Sequence, residues 1–444
     1  MHGITPEGFG LALIDGRPLI VPGALPGERV KVRLRRRGRG DQRRGELIEV
    51  LEPASERVAP RCPHFGICSG CALQHLDSAA QLALKQQRLR TLLWQHGQVQ
   101  PDRWLAPVFH APWGYRRRAR LGVRFVEKKG GVLVGYREVG GRFVADLNRC
   151  VTLHPLIGER IVLLRDLLNQ IEARRHIPQI EVAVGDGDVA LVIRHLVPMS
   201  PQDRERLIAF ARAEEVQIYL QSGAADKLVP LWPAEARPLR YGLEHWGVEL
   251  RFMPGDFVQV NGAVNRSLIS LAVALLVPGK HDRLLDLYCG LGNFTLPLAG
   301  SAGAIVGLEG SPALVQRAKE NARRNDIQNA QFHQADLGSP AVCEAWLQQR
   351  WDKLIVDPPR SGCSSLMRAS GVARVSRILY VSCNPVTLAR DANSLVSQQG
   401  FRLACAGIVD MFPHTSHAEA IALFVRGARA EATEPAPQAP GFWR

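Results

Sequence analysis

The sequence predicts an α/β protein in which a Rossmann-like, doubly wound domain follows two smaller domains. Three observations support this. From about residue 256, short apolar runs alternate with helical segments, the pattern of a parallel sheet covered on both faces. Residues 1–54 break into short apolar stretches separated by Gly and Pro, as in a small OB-like β-barrel. Residues 55–255 mix helical and strand-like patterns, as a central α+β domain does. The length of 444 residues suits this division, because one core stops growing at roughly 250–300 residues.

In the first domain (1–54) the stretches are Gly10–Ile14, Leu19–Val21, Val30–Leu34 and Leu47–Val50. Asp15-Gly16, Pro22-Gly23 and Pro26-Gly27 are turn pairs between them. Five short strands closing into a barrel are expected, and such barrels often bind single-stranded nucleic acid. The second domain (55–255) opens on a loop with Cys62, Cys68 and Cys71. A helix is expected from Ser78 to Gln95, where Leu82, Leu89, Leu92 and Leu93 recur at near-helical spacing. Ala119, Leu121, Val123 and Phe125 then alternate as a strand does.

In the third domain (256–427) the expected strands are Leu284–Leu287, Ala304–Leu308, Ala330–His333, Lys353–Val356 and Ile378–Ser382. Pro312–Asn325 is an intervening helix. The tail (428–444), rich in Ala, Pro and Glu, is expected to be disordered.

The net charge of +14 falls in Arg blocks. One runs Lys31, Arg33, Arg35, Arg36, Arg37, Arg39, Arg43, Arg44; another is Arg116, Arg117, Arg118, Arg120, Arg124. The guanidinium fork suits phosphate, so two such blocks in separate domains favour a nucleic-acid partner. No apolar run reaches the roughly 20 residues of a membrane span, and the first residues lack a signal-peptide pattern. A cytoplasmic monomer with no membrane contact is therefore expected. In that compartment the nine cysteines are not a disulfide framework. Cys62-x5-Cys68-x2-Cys71 with distant Cys150 makes a four-thiolate set, which suits zinc or a [4Fe–4S] cluster; spacing alone does not decide.

Asp286-Leu-Tyr-Cys-Gly290-Leu-Gly292-Asn293-Phe closes the first strand of the third domain. Its glycines allow a tight turn and a close approach of backbone to ligand. Glu309, 23 residues beyond Asp286, stands where an acid accepts from ribose hydroxyls. A dinucleotide site wants a third Gly, and Thr295 stands there instead. That departure favours S-adenosylmethionine, which has no phosphate to cradle. Asp336 and Asp357-Pro358-Pro359-Arg360 close later strands, at the rim where ligands sit in such sheets. Amino-group methylases usually carry an aromatic after the double proline, so Arg360 argues against that class.

Ser382-Cys383-Asn384-Pro385 closes the fifth strand. Methylating carbon 5 of a uracil needs a thiolate to add at carbon 6 and a base to remove the carbon-5 proton. Cys383 is the candidate thiol, and its strand-end position is expected to lower its pKa. Glu419 is the candidate base, with His414 and His417 as substitutes.

The motifs Phe257-Val-Gln259-Val-Asn261, Asp286 to Phe294, Asp357 to Arg360, Ser382 to Pro385 and His417-Ala-Glu419 resemble those of the RNA uracil-5-methyltransferases. Arg61-Cys62-Pro-His-Phe-Gly-Ile-Cys68-Ser-Gly-Cys71-Ala-Leu-Gln-His75 resembles the subgroup with a TRAM barrel and an iron–sulfur cluster, which acts on 23S ribosomal RNA. The resemblance implies a class I methyltransferase domain and S-adenosylmethionine contacts at Gln259, Tyr288, Asn293, Glu309, Asp336 and Asp357. It implies Cys383 as nucleophile, Glu419 as base, and a [4Fe–4S] cluster on Cys62, Cys68, Cys71 and Cys150. The expected target is uracil 1939 of 23S ribosomal RNA, the alternatives being another 23S uracil or one in transfer RNA. Cytosine carbon 5 is disfavoured by Arg360. A noncatalytic RNA-binding factor is the reading from another class, and Cys383→Ala separates it from the enzyme.

Overall fold

The computed structural model describes residues 1–34, 43–223 and 227–427. Arg35, Arg36, Arg37 and Arg39 of the first basic block, and the tail expected to be disordered, lie outside the described residues.

The N-terminal strands are β1 (Gly3–Ile4), β2 (Gly10–Ile14), β3 (Arg17–Val21), β4 (Arg29–Leu34) and β5 (Arg43–Glu52). They form one sheet in the order β1-β2-β3-β5-β4, around Leu19, Val21 and Ala24. Helix α1 (Ser78–Gln95) follows the three-cysteine loop. Asp77 caps it, accepting from the Ala80 amide at 2.7 Å. Its buried stripe is Gln81, Lys85, Leu89 and Leu93, a strict i+4 row that is polar in its first half and apolar in its second.

After the short strand β6 (Arg103–Trp104) comes a second sheet. Its strands are β7 (Arg118–Val126), β8 (Gly131–Gly135), β9 (Gln179–Val184), β10 (Val189–His195), β11 (Gln217–Ser222) and β12 (Val229–Trp232). Their order is β12-β11-β10-β9-β7-β8, with α2 (Pro155–Gly158), α3 (Ile161–Gln170) and α4 (Pro201–Ala213) in the connections. A hairpin, β13 (Leu239–Leu243) and β14 (Val248–Phe252), and helix α5 (Gly262–Leu276) lead into the third domain.

The third sheet holds β15 (Arg283–Leu287), β16 (Ala304–Glu309), β17 (Ala330–Gln334), β18 (Lys353–Val356), β19 (Arg377–Ser382), β20 (Phe401–Val409) and β21 (Glu419–Arg426). Helices α6 (Thr295–Ala299), α7 (Pro312–Arg324), α8 (Pro340–Leu347), α9 (Ser364–Met367) and α10 (Pro385–Ser397) lie between them. The order is β17-β16-β15-β18-β19-β21-β20-β6, parallel from β17 to β19. The five expected strands are all present; β15, β18 and β19 are near-continuously apolar because both faces are covered, whereas the edge strand β17 buries only Phe332. The third ends at Gln334, so Asp336 sits two residues into the loop. The antiparallel hairpin β20–β21 was not expected as a pair, and neither was β6 lying parallel on β20. That pairing covers an edge of the sheet with residues from the central segment, and α1 packs there against α10.

Candidate active site

The order β17-β16-β15-β18-β19 changes direction at the β15–β18 pair, and a crevice opens beyond the carboxyl ends of those strands. The chain leaves β15 at Tyr288 with φ +65°, a left-handed conformation costing a non-Gly residue roughly 1–2 kcal/mol. The Tyr288 hydroxyl donates to the Leu337 carbonyl at 3.3 Å. Gly292 follows with φ +97°, and a Cβ there would lie 3.0 Å from the Leu296 side chain.

Carboxylates pin this turn. Glu309 accepts from the Gly290 amide at 3.2 Å and from the Ser311 amide at 2.9 Å. Asp286, wholly buried, accepts from the Thr295 hydroxyl at 2.5 Å, and its other oxygen has no partner among the described residues. Burial, with Asp357 and Glu309 nearby, pushes its pKa up to about 7. Gln259 donates to Asp357 at 3.4 Å, and burial raises Asp357 to about 7 as well. Asp336 is exposed and accepts from the Gly338 amide at 3.0 Å.

Asn293 stands differently. Its oxygen accepts from the Tyr241 hydroxyl and the Asn265 amide, both at 2.9 Å, and its nitrogen donates back to Asn265 at 2.9 Å. The expected cofactor contact thus has its amide held by Tyr241 of β13 and Asn265 of α5. Asp286, Thr295, Asn265 and Tyr241 were not assigned from sequence. Only Asp286 carried a signal, as an acid inside an otherwise apolar strand.

The donor set suits S-adenosylmethionine. Four carboxylates gather here in a chain of net charge +14. They favour a sulfonium and an ammonium and would repel the pyrophosphate of a dinucleotide.

The turn after β19 carries Cys383. Asn384 caps α10 through the Val386 amide at 3.2 Å and donates to the Arg360 carbonyl at 2.9 Å. The cysteine turn is thereby tied to the double-proline turn. Cys383 is half-buried and lines an open cleft with Arg360, His417, Arg88 and, from the N-terminal sheet, Pro6 and Glu7. Its pKa is raised, contrary to the expectation from its strand-end position. Burial is the main cause, followed by the Glu419 and Asp357 carboxylates; Arg360 opposes them. Two strand ends far away in sequence supply those charges, so the local turn does not decide the matter.

Glu419 begins β21 and is only 7% exposed. Its Oε2 has no hydrogen-bond partner among the described residues. Burial first, then Asp357, push its pKa up to about 8, against Lys85 and Arg360. Such a value suits proton transfer near neutral pH. His417 is on the cleft, and burial and nearby cations lower its pKa. His414 is turned inward, stacked on Trp113 at 3.9 Å, and burial lowers it to about 4.

Cys62, Cys68, Cys71 and Cys150 line one cavity with Tyr136 and Thr152. The Gly70 amide donates to the Cys68 sulfur at 3.3 Å. Burial pushes Cys68 up to about 12 and Cys71 up to about 11. Among the described residues, no three His, Cys, Asp or Glu side chains converge as one metal ion would require.

A sequence model described as tRNA (uracil-5-)-methyltransferase matches residues 240–426. Named relatives match almost the whole chain. The 23S rRNA (uracil(1939)-C(5))-methyltransferase RlmD of Xanthomonas euvesicatoria is 49% identical over 95% of this chain and 96% of its own. The RlmD of Nitrosococcus oceani is 48% identical over 96% and 95%. Among solved structures, the Pyrococcus abyssi tRNA (uracil-54, C5)-methyltransferase in complex with S-adenosyl-L-homocysteine superposes with a TM-score of 0.74. It covers 96% of this chain and 98% of that one at 23% identity, a likeness of fold.

Proposed function

Since this chain belongs to the RNA (uracil-5-)-methyltransferase family, and within it to the RlmD group, we propose that it forms 5-methyluridine at uracil 1939 of 23S ribosomal RNA. The observation that supports this most is that Cys383 shares its cleft with Arg360 while the Glu419 and Asp357 carboxylates act on its thiol. When bound, S-adenosylmethionine supplies an electrophilic methyl group for carbon 5. Gln259, Tyr288, Asn293, Glu309, Asp336 and Asp357 would hold it, with Asn265 and Tyr241 fixing the Asn293 amide.

The remaining work belongs to the chain's own residues. The Cys383 thiolate adds to carbon 6 of the uracil, which makes carbon 5 nucleophilic. After carbon 5 is methylated, the Glu419 carboxylate takes its proton. The C–H electron pair re-forms the C5–C6 double bond, the C6–S bond breaks, and the thiolate leaves. Arg360 is the cation that favours that thiolate. A target base must leave its stack to reach the sulfur.

The four thiols are read as ligands of a [4Fe–4S] cluster with a structural role. Zinc bonds of about 2.3 Å would draw four sulfurs to within about 4 Å of each other. The support for the cluster is that the four thiols line one cavity and that Cys150 and Cys62 act electrostatically on Cys68 and Cys71. The N-terminal sheet is read as a TRAM-like RNA-binding barrel, because Pro6 and Glu7 edge the Cys383 cleft. Among the described residues no helix is long and apolar enough to cross a membrane. A monomer acting in the cytoplasm remains part of the proposal.

The test is methylation of 23S ribosomal RNA transcribed in vitro, with the product nucleotide mapped. Wild-type protein is expected to methylate uracil 1939, and Cys383→Ala to lose all activity. Full activity in Cys383→Ala would end the proposal, and so would modification at another nucleotide.

A further inference from the structure

Lys85 lies in the polar half of the buried stripe on α1, more than 300 residues from the base it approaches. Its ammonium donates to Asp410 at 2.6 Å and to the Phe412 carbonyl at 3.0 Å. Lys85 is 2% exposed and Asp410 6%. Asp410 follows Val409, whose register partner across the β20–β21 ladder is Glu419. The loop from Asp410 back to Glu419 is gripped at further points, all from outside the third domain. Gln81 accepts from the His414 amide at 2.9 Å, Ala72 and Leu73 donate to the His414 carbonyl at 2.9 Å, and Tyr115 donates to the Pro413 carbonyl at 3.1 Å.

A buried ion pair is a weak source of stability, and apolar residues of similar volume often serve the fold as well. Its placement beside a second buried, unpartnered carboxyl calls for another explanation. We propose that Lys85 and Asp410 form an opposed charge pair that positions Glu419 and sets how readily it accepts a proton. This rests on reading Glu419 as the base.

The groups acting on Glu419 are Asp357 after β18, Arg360, Cys383 after β19, Asp410 after β20 and Lys85 on α1, while Arg88 on α1 acts on the neighbouring His417 of its own loop. Lys85 lowers the Glu419 pKa, and Asp410 raises it more weakly. Neutralising one member leaves the other uncompensated in a medium where charges are poorly screened. The two single substitutions therefore push Glu419 in opposite directions, which a merely structural pair would not do.

The experiment compares full-length wild type, Lys85→Met, Asp410→Asn and Lys85→Arg, with Glu419→Gln as reference. Turnover on transcribed 23S ribosomal RNA is followed between pH 6 and 9. Lys85→Met is expected to move the ascending limb up by about one unit, roughly a tenfold loss at pH 7 that recovers at high pH. It should also accumulate the covalent protein–RNA adduct, because proton removal follows bond formation. Asp410→Asn is expected to move the limb down, and Lys85→Arg to restore it. RNA carrying 5-fluorouracil should trap adduct in all of them at the wild-type rate, since no proton is there to remove.

Limbs that stay in place, or that move the same way in both variants, overturn the proposal. If either single variant does not fold, the doubly neutral Lys85→Met/Asp410→Asn chain carries the test. Lys85 is the stronger influence, so its limb should lie above wild type, and an unmoved limb overturns the pair. Undiminished turnover in Glu419→Gln overturns the base assignment itself. A dead Glu419→Gln that traps adduct, beside unmoved limbs in the other variants, overturns only the pair.

Discussion

Replacing Glu419 by Gln separates what this carboxyl does to the fold from what it does in the reaction. In the folded chain its pKa is pushed from 4.5 up to about 8, chiefly by burial. The fold therefore favours the protonated form. That preference is fully present below about pH 4.5 and is lost as pH rises through about 8. Each unit of displacement is about 1.4 kcal/mol, so carrying Glu419 ionised costs the fold on the order of 5 kcal/mol at pH 9 and under about 1 kcal/mol at pH 5. Gln is neutral at both. Thermal unfolding should find Glu419→Gln ahead of wild type by several degrees at pH 9, and close to it at pH 5. The same variant should form the adduct and fail to release it, because the carboxylate is needed after the methyl group has moved. A Tm difference that is identical at both pH values would refute the claim that this carboxyl is held neutral by its burial.

Three further outcomes follow from the same geometry. Asn265→Ala leaves the Asn293 nitrogen without its partner and its oxygen with Tyr241 alone, a loss of about 1–3 kcal/mol; KM for S-adenosylmethionine should rise while Cys383 keeps its reactivity toward alkylating agents. Protein prepared without oxygen should be brown, with about four irons and four sulfides per chain, and Cys68→Ser should lose both colour and iron; a colourless, zinc-loaded preparation would contradict the cluster. RNA affinity should fall steeply and linearly on a log–log plot against salt, and an affinity indifferent to salt would contradict phosphate binding by exposed arginines such as Arg33 and Arg124; Arg117 and Arg118 of the second block are instead largely buried against Asp186 and Glu181.

The strands of the third sheet were legible because their signal is local. A run such as Leu284–Leu287 needs only burial on both faces to be read. The turn motifs were legible for a similar reason, since Gly292 and the double proline restrict the backbone wherever they stand. Side-chain electrostatics were not legible. Cys383 was expected to have a lowered pKa from its own turn, yet its thiol answers to carboxylates at the ends of β18 and β21. Asn293 was a cofactor contact by resemblance; that its amide also meets Asn265 on α5 and Tyr241 on β13 is something no spacing reveals. Lys85 on an amphipathic helix reads as part of a solvated face, and only the fold brings Asp410 to it. The edge pairing of β6 on β20 escaped notice because two residues carry no periodicity.

Charge is sorted in this molecule, and the sorting bears on specificity. The chain as a whole is strongly basic, and Arg88 and Arg360 stand on the cleft that holds Cys383. The crevice beyond β15, β16 and β18 is acidic, with Asp357 and Glu309 both acting on Asp286. An RNA backbone is drawn to the rim and kept out of the interior, while a cationic methyl donor is favoured inside and has little attraction to the rim. The two substrates thus meet only at the boundary, which is where the sulfur sits. Placing the base there, wholly buried, has a consequence: with Asp357 nearby it holds a proton too tightly to act unless a cation offsets the carboxylates. Lys85 is a buried cation that acts on Glu419, and it comes from the helix that follows the three-cysteine loop. A chain in which that segment is displaced should therefore lose turnover at neutral pH before it loses RNA binding or adduct formation.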